Sequence, residues 1–243
     1  MRNIALVLMY NGTAYHGWQV QKTEISVAET LERGLSMVCG EKIKCVGCGR
    51  TDAGVHAEHQ VANFHCESAL PAEEIFLQLR RYLPEDIGIY SCREVSPRFH
   101  ARLNAREKTY CYRIWNSEGP CVFARRFVAV MPEKLDLEAM RMAAGLLLGE
   151  HDFSAFCGNA KMKKSTVREL YAIDISRQGE EIRIRFTGNG FLYNMVRILT
   201  GTLIEVGRKQ RSPETIPALF GVKREEAGFL APAQGLCLEE VVY

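Results

Sequence analysis

The sequence predicts an α+β protein built from two similar halves. Short apolar runs of strand length alternate with longer runs that carry a helical spacing of apolar residues, and both halves show this mixture. The halves join near residues 100–107, and no low-complexity linker separates them. We therefore expect them to share an interface or one continuous sheet. With 243 residues, 47% of them hydrophobic, the chain can bury a sizeable core.

The first half begins with a strand followed by a helix. Residues 4–10 form a short apolar run that ends at the turn dipeptide Asn11-Gly12, which favours a buried strand. Ser26 and Glu29 have the spacing of a capping box, and apolar residues recur at four-residue intervals until Gly40 ends the helix. The pattern then predicts strands at 42–46, 61–66 and 87–95, a polar loop at 47–60, and a helix between Pro71 and Pro84.

The second half repeats this mixture of strands and helices. A strand is predicted at 108–115, a helix at about 137–148, and two more strands at 167–176 and 182–186. A long apolar helix follows over 191–206, with Gly207 as its end, and a shorter helix begins at Pro213. Residues 236–243 close the chain as a strand.

The charge balance alone does not indicate a partner. A formal net charge of +2 is too small to advertise nucleic-acid binding by itself. Basic residues do cluster locally, at 80–81, 98–108, 125–126, 161–164 and 208–211. Each cluster alone is typical of a solvated surface, and only their convergence on one face would support contact with an RNA backbone.

Composition also bears on the location of the protein. The nine cysteines are scattered along a chain that shows no export signal, so we expect reduced thiols. No apolar stretch approaches the roughly 20 residues that cross a bilayer. These features predict a cytoplasmic protein without a membrane segment.

The polar loop contains the strongest candidate for chemistry. It places Asp52 between small residues, with Arg50 two positions earlier. Such a loop can bring its backbone close to a ligand while a carboxylate points outward. Composition alone favours a different role, because an aspartate in a glycine-rich turn usually hydrogen-bonds nearby amides.

The same region offers an alternative function. Cys45 and Cys48 together with His56 and His59 suggest a zinc-stabilised nucleic-acid-binding module. The spacing argues against it, because seven residues separate Cys48 from His56 where a zinc finger has about twelve. A chain of this size also needs no zinc to build a core, so we expect no metal.

Several segments resemble one enzyme family. Residues 49–56 read Gly-Arg-Thr-Asp-Ala-Gly-Val-His and resemble the signature of the TruA family of pseudouridine synthases. Further segments similar to that family follow in order at 99–102, 108–112, 151–156, 190–197 and 231–236. The resemblance implies two α/β-sandwich halves, residues 1–104 and 105–243, with mixed, mainly antiparallel sheets that meet at a central RNA-binding cleft. It also implies a homodimer that acts on the anticodon arm of tRNA at uridines 38, 39 and 40, with action on another RNA position as the alternative.

The resemblance assigns roles to individual residues. Asp52 matches the family's nucleophile, and attack on C1′ of the sugar or on C6 of the base both stay open. Arg50 or Arg197 would keep that carboxylate ionised and bind substrate, and the resemblance points to Arg197 as its closer partner. Tyr110 matches a tyrosine that lies against the target base, where stacking offsets part of the cost of extruding it. Moving uracil from N1 to C5 involves no redox change, so no cofactor is expected.

Other conspicuous residues have competing interpretations. Trp18 either stacks on RNA or packs as a partly buried anchor. Arg197, without the resemblance, would snorkel from an apolar helix. Tyr112 is assigned to packing. His151 and Asp152 are adjacent, so their side chains do not face each other, and we expect a structural role for both.

Overall fold

The computed structural model describes residues 1–159 and 161–243. Their strands are β1 (Arg2–Tyr10), β2 (Cys45–Gly47), β3 (His56–Cys66), β4 (Ile87–Val95), β5 (Glu107–Trp115), β6 (Ala129–Val130), β7 (Gly149–Asp152), β8 (Val167–Gln178), β9 (Glu181–Gly188) and β10 (Leu236–Val242). Their α-helices are α1 (Val27–Cys39), α2 (Ala72–Tyr82), α3 (Leu137–Gly145) and α4 (Met195–Gly207). The chain is an α+β protein, as predicted.

The chain divides into two compact units. The first contains residues 1–106 and 237–243, and the second contains residues 107–236. The sequence-based division into 1–104 and 105–243 differs from this at the end of the chain. Residues of β10 belong with the first unit because Cys237 pairs in parallel with His56 and Leu238 with Ala57. A pairing between residues so far apart in sequence leaves no local signal.

The sheet of the first unit has β1 between β3 and β4. Both pairings are antiparallel, while β2 and β10 pair with β3. Three alternate residues of β1 are fully buried, namely Ile4, Leu6 and Leu8, and α1 and α2 pack against each other beside this sheet. As an interior strand, β1 gives any side chain at its end a rigid base.

Helix α1 shows how a local signal sets an element. The Ser26 hydroxyl oxygen accepts a hydrogen bond from the Glu29 amide at 3.2 Å. At the other end, Gly40 adopts the left-handed conformation with φ of 71°, which glycine reaches without a Cβ penalty. The N-cap at Ser26 and the stop at Gly40 are both as predicted.

The second unit is built on an antiparallel sheet in the order β5, β9, β8, β7, with β6 paired in parallel to β5. Helix α4 packs against β5 and α3, and α3 also packs against β8. The carboxylate of Glu181 in β9 accepts two hydrogen bonds from Arg113 in β5, at 2.9 and 2.8 Å. These contacts join the two strands across the sheet.

Several element boundaries differ from the sequence prediction. The strand predicted at 42–46 is only Cys45–Gly47, and the polar loop predicted at 47–60 ends earlier because β3 begins at His56. The helix predicted over 191–206 begins at Met195, since Asn194 takes a left-handed conformation with φ of 61°. The helix predicted at 137–148 ends at Gly145, the one at Pro213 is a 3-10 helix, and β6 and β7 were not predicted.

None of the helices within residues 1–159 and 161–243 has the length and apolar character that crossing a membrane requires.

Candidate active site

Asp52 lies in the loop between β2 and β3. Its side chain is half-buried, whereas that of Arg50 is exposed. The Asp52 carbonyl accepts a hydrogen bond from the Val55 amide at 3.1 Å, and Gly54 has φ of 78°, so the chain turns tightly just after the carboxylate. Residues 52–55 therefore form a hydrogen-bonded turn whose first residue is Asp52.

Main-chain hydrogen bonds join this loop to the segment at residues 15–18. The Trp18 amide donates to the Thr51 carbonyl at 3.0 Å, and the Gly54 amide donates to the Tyr15 carbonyl at 3.2 Å. The Trp18 side chain is only 4% exposed and covers Gly47, where a Cβ would lie 2.5 Å from the indole ring. Of its two predicted roles, Trp18 therefore has that of a buried anchor and does not present its ring for stacking on RNA.

Buried side chains hold the loop from inside. The hydroxyls of Tyr10 and Thr51 are 2.8 Å apart. The Gln60 amide donates to the Gly49 carbonyl at 3.0 Å, and its own carbonyl oxygen accepts from the Cys48 thiol. Sequence reasoning missed these contacts, because Tyr10 and Gln60 lie in strands and nothing local marks them as partners of the loop.

Two of the four residues of the zinc alternative, Cys48 and His56, have other partners. The Cys48 thiol donates to Gln60, and His56 Nδ1 accepts from the Gly12 amide at 3.0 Å. Burial raises the pKa of the Cys45 thiol, which disfavours the thiolate that a metal would need. Within the described part of the chain, no group of three or more His, Cys, Asp or Glu side chains could hold a metal ion.

Tyr110 lies in β5 of the second unit. Its side chain is 7% exposed and meets the Phe191 ring edge to face, with centroids 5.2 Å apart. Tyr112, two residues along, is fully buried, and its hydroxyl donates to the Pro232 carbonyl at 2.8 Å. Burial raises the pKa of Tyr112. Tyr112 therefore has the packing role predicted for it.

Arg197 lies in the first turn of α4, also in the second unit. Its Nε donates to the Ala231 carbonyl at 2.8 Å, and Nη1 donates to the Asn194 side chain at 3.3 Å. The Ala231 amide in turn donates to the Arg197 carbonyl. The guanidinium is thus held in a defined direction and does not snorkel freely from the helix. Arg50 and Asp52 share one loop of the first unit, while Tyr110 and Arg197 belong to packed elements of the second.

His151 and Asp152 have the structural role predicted for them. The His151 ring stacks on Phe220 with centroids 3.9 Å apart and planes 7° from parallel. One Asp152 oxygen accepts from the Ser154 amide at 3.0 Å and from the Thr166 hydroxyl at 2.6 Å. Asp152 therefore stabilises the turn after β7, and His151 packs against Phe220.

The basic clusters differ in how their charges are used. Arg208 pairs with Glu133 and Arg211 pairs with Glu205, each at 3.0 Å, so cluster 208–211 is largely neutralised within the second unit. The side chains of Arg125 and Arg126 are exposed. Counting basic residues in the sequence therefore overstates the charge available to a polyanion.

Comparison with known proteins gives one consistent result. A family model described as tRNA pseudouridine synthase matches residues 143–243. The chain is 44% identical to tRNA pseudouridine synthase A of Acetivibrio thermocellus, 42% identical to tRNA pseudouridine synthase A 2 of Bacillus cereus and 43% identical to tRNA pseudouridine synthase A 1 of Clostridium tetani. Each similarity covers 100% of both chains.

Proposed function

Because the chain belongs to the family of tRNA pseudouridine synthases, which are isomerases, we propose that it converts uridines 38, 39 and 40 of the tRNA anticodon arm, with Asp52 as nucleophile. The observation that carries the proposal is the position of Asp52. It is a half-buried carboxylate in a loop tied down on both sides, within a chain that matches its relatives from end to end.

The loop suits a covalent step by a carboxylate. Attack on C1′ or C6 requires the oxygen to be held about 3–3.5 Å from the carbon in a reactive direction. The carbonyls of Thr51 and Asp52 are both bonded to backbone amides, which limits rotation of the peptide that carries the carboxylate. The isomerisation breaks one glycosidic bond and forms another, so the proposal includes no cofactor.

We assign Tyr110, Arg50 and Arg197 to substrate binding. Tyr110 has a ring already fixed edge to face by Phe191, so little side-chain entropy is lost when a base packs against it. Arg197 has a fixed guanidinium, which suits an ion pair that keeps the carboxylate ionised. Arg50 is exposed and suits a phosphate of the bound strand.

The proposal includes a cytoplasmic homodimer that clamps one anticodon arm across the central cleft implied by the family. One nucleophile per subunit must then serve three adjacent nucleotides. A rigid RNA would allow only one of them to reach Asp52, so the arm must slide or pivot between turnovers.

The test combines one substitution with a map of the product. We expect Asp52→Asn to abolish pseudouridine formation and to leave the Kd for tRNA within a few-fold, since it removes the nucleophile and keeps the shape of the loop. Asp174→Asn, which changes an exposed carboxylate on β8, serves as the matched control and should keep full activity. Turnover by the Asp52→Asn protein beyond a trace from deamidation would remove Asp52 from its role.

The map should show modification at 38, 39 or 40 of unmodified tRNA. Conversion confined to the T arm, the D arm or ribosomal RNA would keep the chemistry and overturn the proposed position. Binding should weaken steeply as salt rises, because phosphate contacts release counterions. A flat salt response would contradict the charged cleft.

A further inference from the structure

The residue that precedes Asp52 is held by a buried pair of hydroxyls. Tyr10 and Thr51 are 4% and 7% exposed, and their hydroxyl oxygens are 2.8 Å apart. Tyr10 ends β1, the strand between β3 and β4. Its ring also lies beside that of Trp18, with centroids 6.2 Å apart. The phenol is therefore carried by an interior strand of the first unit.

This pair acts together with a backbone contact on the same residue. The Thr51 carbonyl accepts from the Trp18 amide at 3.0 Å, so Thr51 is held by both its side chain and its main chain. Two contacts of different direction on one residue fix the orientation of the peptide that joins it to Asp52. Thr51 is buried while Asp52 is half-buried and Ala53 exposed, so the chain emerges from the core at the carboxylate.

We propose that Tyr10 is a positioning residue for the reaction, which orients the Asp52 carboxylate by holding the hydroxyl of Thr51. The inference rests on the proposed role of Asp52 as nucleophile.

Stability alone does not explain the pair. Two apolar groups of the same shape in place of a buried hydrogen-bonded pair can be nearly neutral for folding. Phenylalanine and valine would fill these positions with nearly the same shape. A hydrogen bond supplies a defined direction, which apolar contact does not, and direction matters for a nucleophile that loses about a hundredfold in rate when misplaced by about 1 Å.

The test is a double-mutant cycle with Tyr10→Phe, Thr51→Val and the double variant. We expect each single substitution to lower the single-turnover rate of pseudouridine formation about tenfold and to leave the Kd for tRNA within about twofold. The double variant should also be slower by only about tenfold, because both substitutions remove the same contact. Thr51→Ser, which keeps the hydroxyl, should stay within about threefold of the wild-type rate.

Tyr15→Phe is the matched control for loss of a buried tyrosine hydroxyl. Tyr15 is 6% exposed, and its hydroxyl donates to Asp86 at 2.6 Å. The substitution removes only this hydroxyl and keeps the Tyr15 carbonyl, which accepts from the Gly54 amide of the loop. We expect this variant to lose some stability against urea and to keep the wild-type rate. A rate loss in Tyr15→Phe equal to that in Tyr10→Phe would reduce the role of Tyr10 to stability.

The other outcomes separate the inference from the proposed function. An active wild type whose Tyr10→Phe and Thr51→Val variants keep its rate would overturn the positioning role and leave Asp52 as nucleophile. If Thr51→Ser and Thr51→Val lost the same factor in rate, the methyl group of Thr51 would matter as much as its hydroxyl, and the positioning role of Tyr10 would also be overturned. Wild-type protein that forms no pseudouridine in any tRNA would overturn both.

Discussion

Gly17 is the position where a single methyl group should test the geometry of the Asp52 loop. Gly17 has φ of 84°, and a Cβ built there would lie 2.5 Å from the Thr51 carbonyl oxygen and 3.1 Å from the Asp52 carbonyl carbon. Ordinary contact begins near 3.4 Å, so Gly17→Ala requires a displacement of about 0.9 Å. Both neighbouring atoms are main-chain atoms, so no flexible side chain can absorb that displacement.

The expected effect has two separable parts. An alanine in the left-handed region costs about 1–2 kcal/mol, which lowers Tm by about 2–4 °C per kcal/mol in a chain of this size. The displacement of the Thr51 to Asp52 peptide should lower kcat by about 10- to 100-fold, since a shift of about 1 Å can cost that much. Binding of tRNA, which depends on many phosphate contacts, should change little.

Gly40→Ala separates these two parts. Gly40 has φ of 71°, similar to that of Gly17, but a Cβ there would meet no atom within 4 Å. This control should reproduce the part of the Tm loss that comes from the left-handed conformation and keep the wild-type kcat. The assay is release of tritium placed on C5 of the tRNA uridines, measured beside thermal unfolding of both variants. A Gly17→Ala protein with wild-type kcat would show that the position of the Thr51 to Asp52 peptide does not control the reaction. A Gly40→Ala protein that loses as much activity would show that the loss comes from lower stability.

Two further predictions concern stability and thiol chemistry. Hydrogen bonds from Arg113 and then Arg183 hold the pKa of Glu181 below its usual range. The stability that these hydrogen bonds provide is therefore present at pH values above the pKa of Glu181 in the unfolded state. It is lost as the pH falls through the pKa of Glu181 in the folded state. Glu181→Gln should lower the free energy of unfolding by about 1–3 kcal/mol at pH 7. Urea titrations should show that this difference between wild type and variant becomes smaller below about pH 4; a difference independent of pH would contradict this. Burial raises the pKa of the Cys39 thiol to about 11 and that of Cys92 to about 12. In the native protein at pH 7.5, alkylation should be slower than at an ordinary thiol by about 100-fold at Cys39 and about 1000-fold at Cys92, in proportion to their smaller thiolate fractions. The rate at Cys39, followed by mass spectrometry, should keep rising until about pH 11; a plateau near pH 9 would show an ordinary thiol.

The fold was predictable wherever its signals are local. Helix α1 is set by Ser26 and Gly40, both within one residue of its ends, and β4 has the predicted bounds. The beginning of β3 was missed because its first residues are polar and become strand through distant partners. Ala57 lies opposite Tyr10 and Gln60 opposite Leu8. Helix α4 begins late because Asn194 leaves the helical region, and the apolar pattern that runs through Asn194 does not show this.

In the candidate site, too, residues with a local sequence signal were predicted and contacts between distant residues were missed. Asp52 and Arg50 stood out because the glycine-rich loop is contiguous in sequence and resembles a known signature. The contacts of Tyr10 and Trp18 that hold this loop in place, which we call its tethers, did not stand out. Tyr10 lies 41 residues from Thr51, and Trp18 contacts the loop through its main chain. A main-chain contact depends on backbone position alone, so no residue type reveals it.

The tethers have a consequence for how binding energy is used. Fixing the backbone of a loop costs about 1–2 kcal/mol per residue, and here hydrogen bonds worth about 0.5–1.5 kcal/mol each offset part of that cost when the protein folds. The Asp52 carboxylate is then ordered before RNA arrives, so contacts with the RNA need not order it. That binding energy stays available for extruding a base, which itself costs a few kcal/mol. When a tether is weakened, the carboxylate is not ordered in the free protein, and the free energy of ordering it is spent in the complex after RNA has bound. There it raises the barrier without weakening binding, so the tether variants should lower kcat and leave the affinity for tRNA intact.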